Sequence, residues 1–174
     1  MELKEDEKEK EKMKEIFSRI SEKEKIKSIS KTLGSIICIL ANHLIHSLGY
    51  TTASTVISRD IRELGKRDVE RLKEIFKLDE DLISKKRTTR LAGMLLGLEL
   101  KLIREGDGKT HAYIVDCPFS SIVKGFNQPF ICKICEEYNR GIVEKLFGSK
   151  FKLVSEKRMS QGDDYCKYHI REKD

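Results

Sequence analysis

The chain has no tryptophan, no apolar run of bilayer length and no glycine-rich phosphate loop, and each absence removes a class of protein. The longest uninterrupted apolar or glycine stretch, Leu91 to Leu98, falls far short of the ~20 residues that span a membrane. The first residues, from Met1 to Lys8, alternate charges and offer no apolar signal core. A soluble cytoplasmic protein with no membrane partner is the expectation. Neither G-x-G-x-x-G nor G-x-x-x-x-G-K-[ST] occurs, so the sequence writes no dinucleotide fold and no P-loop. Positive charge is also not concentrated. The net charge is +6, but residues 1–31 hold 10 Lys/Arg against 9 Asp/Glu, leaving +1 there and +5 over the rest. That distribution is too even for a nucleic-acid footprint, so no nucleic-acid partner is expected.

What remains is 174 residues, one ordinary domain able to bury roughly 70% of its unfolded surface. Charged residues make up 37%, mostly Lys and Glu, a composition that suggests a thermophile, though an AT-rich genome would also favour Lys and Ile. Residues 1–28 read as a charged helical arm, with Met13, Phe17 and Ile20 at helical spacing; it is either a solvated helix or a packing and dimerising one. Residues 29–174 read as the domain. After Ser30, Lys31 and Thr32, the apolar positions Leu33, Ile36, Ile37, Leu40, Leu44 and Leu48 predict a helix ended by Gly49, with Cys38 as core packing. His43 and His46 share a face of it and read as surface or helix-end residues. Thr55 to Phe76 predicts one helix, or two broken at Gly65, and Asp81 to Leu96 another. The cluster Lys85, Lys86, Arg87 and Arg90 reads as a solvated face, since no aromatic residue is interleaved.

Beyond Gly97 the period shortens to two. Leu98, Leu100 and Leu102 alternate with Glu99, Lys101 and Ile103; Gly106-Asp107-Gly108 turns the chain, and Ala112, Ile114 and Val115 return it as a hairpin. Pro129 then opens a helix that runs through Ile131, Tyr138, Ile142 and Leu146 to Gly148. Phe151, Leu153 and Met159 predict a strand, Gln161 to Asp164 a turn, and Tyr165 to Ile170 the last strand. Helices first, then two hairpins around a helix, predict an α+β domain with an antiparallel sheet covered on one face.

Four of the five cysteines, Cys117, Cys132, Cys135 and Cys166, fall at the ends of these late elements. In a reducing compartment, clustered thiols read as metal ligands before disulfides. Cys132 and Cys135 share a face in the first turn of a helix, where the dipole favours thiolate. Zinc takes four such donors tetrahedrally, and the spacing Cys-x14-Cys-x2-Cys-x30-Cys can supply them as a structural site. His111, His169 and Glu156 are the alternates should one thiol stay out. His169 shares a face with Cys166 only if a bulge intervenes.

The run Cys117-Pro118, Cys132-x2-Cys135-x5-Gly141, then Glu156-x5-Gly162-Asp163-x2-Cys166-x-Tyr168-x-Ile170 resembles the 4-vinyl reductase family domain of archaeal proteins and bacterial phenol-sensing regulators. Its fold superfamily also holds haem nitric-oxide-binding domains and Golgi vesicle-tethering subunits. The resemblance implies an α+β fold, a bound zinc, frequent dimers and a pocket for a small hydrophobic ligand between helices and sheet. It implies zinc ligands at Glu156, Cys166 and Cys132 or Cys135. Met159 stands where the family has a further cysteine, and Cys117 or the second thiol of the pair can restore the count. Tyr113, Phe119, Phe126, Phe130 and Tyr138 are the pocket candidates.

Three functions follow as expectations. The first is a zinc-stabilised domain that binds or senses a small hydrophobic molecule. The second is an enzyme, a reductase as the family name suggests or a zinc hydrolase with Glu156 as base. The third is a dimeric scaffold engaging a partner through its arm.

Overall fold

Ser21 and Glu24 open the first long helix with a capping box: the Ser21 hydroxyl accepts the Glu24 N–H, and the Glu24 carboxylate accepts the Ser21 N–H. In the computed structural model, which describes residues 7–106, 108–126 and 130–173, that helix is the second of six. The elements are α1 (Glu7–Ser18), α2 (Glu22–Leu48), α3 (Tyr50–Phe76), α4 (Leu82–Leu95), β1 (Glu99–Arg104), β2 (Thr110–Asp116), α5 (Ser120–Phe126), α6 (Phe130–Phe147), β3 (Phe151–Lys157) and β4 (Cys166–Glu172). The strands form one antiparallel sheet in the order β1-β2-β4-β3. This is the α+β arrangement read from the sequence.

Local differences from the sequence reading have physical causes. α2 begins at Glu22 rather than near Thr32, because the capping box starts the helix in a wholly charged first turn, Glu22 to Lys25, ahead of its first apolar residue, Ile26. One residue, Gly49 at φ 75°, joins α2 to α3, a backbone angle that favours glycine. α3 runs unbroken through Gly65, since that glycine faces α6. A methyl group there would sit 2.2 Å from the Tyr138 carbonyl oxygen. Gly141 on α6 faces back, its own methyl 2.0 Å from the Arg62 carbonyl oxygen. The two helices therefore cross backbone to backbone. α5, absent from the sequence reading, buries Ile122 and Val123 against Cys38 and Ile131. β3 stops at Lys157, and Met159–Gln161 forms a short 3-10 turn instead of continuing the strand. Pro129 and Asp107 lie outside the described residues.

The core has three parts. Val69, Leu72, Ala92, Ile142 and Leu146 join α3, α4 and α6. Cys38, Ile122, Val123 and Ile131 join α2, α5 and α6. Leu98, Ile114, Cys166 and Tyr168 lie on the inner face of the sheet. Beside the helix crossing, the buried Glu137 carboxylate accepts bonds from Arg62 Nε (2.9 Å) and Arg140 Nη1 (2.8 Å), and Glu136 accepts one from Arg158 Nη2 (2.8 Å). These paired charges tie α3 and the β3–β4 connection to α6. α2 is long and apolar enough to cross a membrane by length and composition, but its buried residues, Ser30, Gly34, Cys38 and Ala41, seat it on the rest of the fold.

Candidate ligand cavity and thiol cluster

Period-two alternation sends Leu100, Leu102, Ala112, Ile114 and Leu153 to the face of the sheet turned toward α4 and α6. Ile142, Val143 and Phe147 of α6 face them, with Leu82 and Thr89 of α4 alongside. The two layers do not close completely. Between them lies a cavity of about 460 Å³, within the range of small-molecule sites. Its wall is mainly aliphatic. Lys86, Arg104 and Lys109 are its charged lining residues, and no acidic side chain joins them among the described residues.

Four of the five aromatic residues expected in a pocket are placed elsewhere. Tyr138 packs on the Val69 and Leu72 cluster and donates to Asp68 Oδ2 at 2.7 Å. Phe130 is buried edge-on to Tyr50, with ring centroids 6.3 Å apart. Phe119 bridges the inner-sheet cluster and the α5 cluster. Tyr113 lies beside Tyr165 and donates to the Glu105 carboxylate. The side chain of Phe126 lies outside the described residues. None of the four described rings lines the cavity. Its wall comes from the aliphatic alternation of β1 and β2, a signal that tells which face turns inward but not where packing leaves space.

Cys117, Cys135 and Cys166 pack around one apolar cluster with Met159, and Cys132 sits at the neighbouring one. Polar groups approach all four sulfurs, and those of Cys135 and Cys166 accept hydrogen bonds. Cys117 is approached by the backbone N–H groups of Phe119 and Ser120, and Cys132 by the Ser160 hydroxyl. Asn139 Nδ2 lies 3.6 Å from Cys135 Sγ, and the Met159 N–H lies 3.4 Å from Cys166 Sγ. Donors aimed at sulfur stabilise thiolate. Burial acts against them and dominates, pushing the Cys117 thiol up to about 12. Cys135 is raised further, first by burial and then by the other three thiols. Thiols near enough to disfavour one another's ionisation suit a shared cation. A tetrahedral zinc would need sulfurs about 3.8 Å apart. Among the described residues, however, three ligand-type groups come within 4.8 Å of one another only at His111, Glu156 and His169, so the thiols are more widely spaced than a closed shell.

Those three alternates meet on the other face of the sheet. His111 and His169 are direct partners across β2 and β4, alternating with Ala112 and Tyr168 of the inner face. Glu156 comes from the bulge between Ser155 and Lys157 of β3. Its Oε1 lies 2.6 Å from His169 Nδ1 and 3.6 Å from His111 Nδ1. The shorter approach is off the direction of a hydrogen bond. Lys167 and His169 together hold the Glu156 carboxyl below its ordinary range.

No family model matches the sequence, and no curated protein matches it. Solved structures do resemble the fold. One is the phenol-responsive sensory domain of the transcription activator PoxR with phenol: 17% identity, TM-score 0.59, covering 82% of this chain and 74% of that one. Another is a trafficking protein particle complex subunit 3 from Naegleria fowleri covalently bound to palmitic acid: 16% identity, TM-score 0.62, covering 85% of this chain and 97% of that one. The chain thus has a fold shared by a small-molecule sensory domain and a subunit of a protein complex.

Proposed function

We propose that this protein is a cytoplasmic ligand-binding domain of the 4-vinyl reductase type that holds a small hydrophobic molecule between α4, α6 and the sheet. The observation that carries this reading is the apolar cavity of about 460 Å³, in a fold that in other proteins holds phenol or palmitic acid. Its aliphatic wall favours an apolar body, and Lys86, Arg104 and Lys109 favour a polar or anionic end. The test is displacement of a fluorescent anilinonaphthalene sulfonate by phenols and by saturated fatty acids of graded length. Ala112 stands on the cavity floor, so Ala112→Phe should fill the space and weaken binding at least ~10-fold while the helical circular dichroism persists. A folded Ala112→Phe protein that binds as tightly as the parent would remove the cavity from the account.

The metal belongs to the same reading. Zinc at Cys117, Cys132, Cys135 and Cys166 would pin the end of β2, the start of α6 and the start of β4 together as a structural site. The N–H donors to the Cys135 and Cys166 sulfurs, and the mutual influence of the four thiols, support it. Small side-chain rotations would be needed to close the shell. Cobalt at these sulfurs gives an intense near-ultraviolet sulfur-to-metal absorption, which Cys135→Ser should abolish.

A second copy is the proposed partner. Ile29, Leu33, Ile36 and Leu40 form one stripe along α2 and are 58%, 54%, 47% and 63% exposed. Pairing of two such stripes would cover them. Leu33→Glu should shift a dimer to monomer in light scattering; a wild-type chain already monomeric at micromolar concentration ends the idea.

A further inference from the structure

We propose that His111, His169 and Glu156 form a binding site for a first-row divalent transition metal on the outer face of the sheet, distinct from the thiol cluster, with His169 also among the residues that line the cavity. The donors are two imidazole nitrogens and one carboxylate oxygen, a set that suits zinc, cobalt, nickel or ferrous iron. Ligand bonds of about 2.0–2.2 Å put neighbouring donors roughly 3 Å apart. The contacts of Glu156 Oε1 with the two Nδ1 atoms, 2.6 and 3.6 Å, bracket that spacing, and the three groups lie within 4.8 Å of one another.

The backbone builds this arrangement. Strand pairing sets the two histidines side by side, their rings 5.5 Å apart and tilted by 53° rather than stacked. The bulge in β3 aims Glu156 between them. His111 is only 3% exposed, which fixes its ring. Its remote nitrogen, Nε2, lies 3.4 Å from Glu105 Oε2, the outer carboxylate that orients a metal-bound imidazole. Lys167 Nζ lies 3.0 Å from Glu105 Oε2 and 3.0 Å from Glu156 Oε2. It thereby occupies the second oxygen of Glu156 and leaves Oε1 for the ion. With both imidazoles neutral, Glu105, Glu156 and Lys167 sum to one negative charge, which favours a cation.

Three protein ligands leave coordination positions open, and the Glu156 side chain, 32% exposed, marks the side that faces water. The site differs in kind from a closed thiolate shell. Glu156, which the family resemblance assigns to the thiols, here turns to the histidines instead.

The test uses the full chain, stripped by chelator under reducing conditions and titrated with cobalt. Bound metal is counted by equilibrium dialysis, and the sulfur-to-metal absorption is followed in parallel. One equivalent should bind without adding to that absorption. Glu156→Gln and His169→Gln should each remove this equivalent and leave any sulfur absorption unchanged. Glu105→Gln should keep the equivalent but weaken it ~10- to 100-fold. The remaining histidines, His43 and His46 on α2, serve as the control, and replacing both should change nothing. Cys135→Ser acts only on the sulfur absorption, so failure of the thiol site is told apart from failure of this one. If the wild type binds cobalt only with sulfur absorption, or if folded Glu156→Gln and His169→Gln proteins keep full stoichiometry, the proposal is overturned.

Discussion

Gly141→Ala should cost this protein more than about 3 kcal/mol, enough to leave a large fraction unfolded. In an ordinary helix interior the same change gains about 1 kcal/mol, because alanine is the better helix former. The sign reverses here because of what lies opposite. A methyl group at 141 would stand 2.0 Å from the Arg62 carbonyl oxygen and 3.2 Å from Gly65 Cα. Both are backbone atoms of a helix interior and cannot rotate away. Relief requires α3 and α6 to move apart, and that movement would pull on the core of Val69, Leu72, Ile142 and Leu146 and on the buried Arg62–Glu137 pair. Gly65→Ala meets the Tyr138 oxygen at 2.2 Å and should behave alike. The internal control is Gly93→Ala in α4, whose nearest neighbour would be Leu100 Cβ at an ordinary 3.5 Å. That variant should be neutral or stabilised by up to about 1 kcal/mol. Urea unfolding followed by circular dichroism measures all three. Equal midpoints for Gly141→Ala and Gly93→Ala would mean that the helices do not cross this closely. Since α6 carries Ile142 and Val143 into the cavity wall, ligand binding should fail together with stability at position 141.

The helix crossing also shows where sequence reading runs out. Gly65 reads locally as a weak point of a helix, and its real role needs Gly141, which lies far along the chain. Elements governed by near neighbours were legible: the α6 periodicity, the alternation of β1 and β2, and the opposite facing of Cys166 and His169 on one strand. The α2 start was also written in the sequence, as Ser21-x-x-Glu24, but the first turn after it, Glu22 to Lys25, carries no apolar residue to mark a helix face. α5 is only seven residues long, and two turns of helix carry too little periodicity to be seen. The site residues divide the same way. Thiols at element ends could be singled out from spacing alone. The pairing of His111 with His169 follows from the nonlocal strand order β1-β2-β4-β3, and the turn of Glu156 toward them follows from a bulge that alternation cannot express. The cavity is harder still, since the same aliphatic pattern describes a filled core and an open one.

The metal-free chain should lose stability steeply as pH rises above 9. Burial lifts the Cys117 thiol from 9.0 to about 12, with smaller contributions from Cys132 and Cys166, and it lifts Cys135 further. It raises the phenols of Tyr138 and Tyr168 as well. These groups keep their protons in the folded state at a pH where the unfolded chain has released them. Their contribution is therefore complete below the unfolded values, near 9 to 10, and decays as pH climbs toward the folded ones. For Cys117 alone the gap between 9.0 and about 12 corresponds to on the order of 4 kcal/mol. That is a sizeable part of the roughly 5–15 kcal/mol that holds a domain together. Unfolding by base should thus be cooperative and complete before pH 12. Tyrosinate absorbance from buried Tyr168 and half-buried Tyr138 should appear only as the helical signal disappears. Zinc changes the prediction in a definite way. A thiolate already bound to metal has no proton to lose, so a zinc-loaded chain should hold its fold to higher pH than the stripped one. Coincident curves for the two forms would argue against metal at these thiols. A stripped chain that keeps its helices through pH 12 while its thiols titrate near 9 would show that Cys117 and Cys135 are not buried together as described.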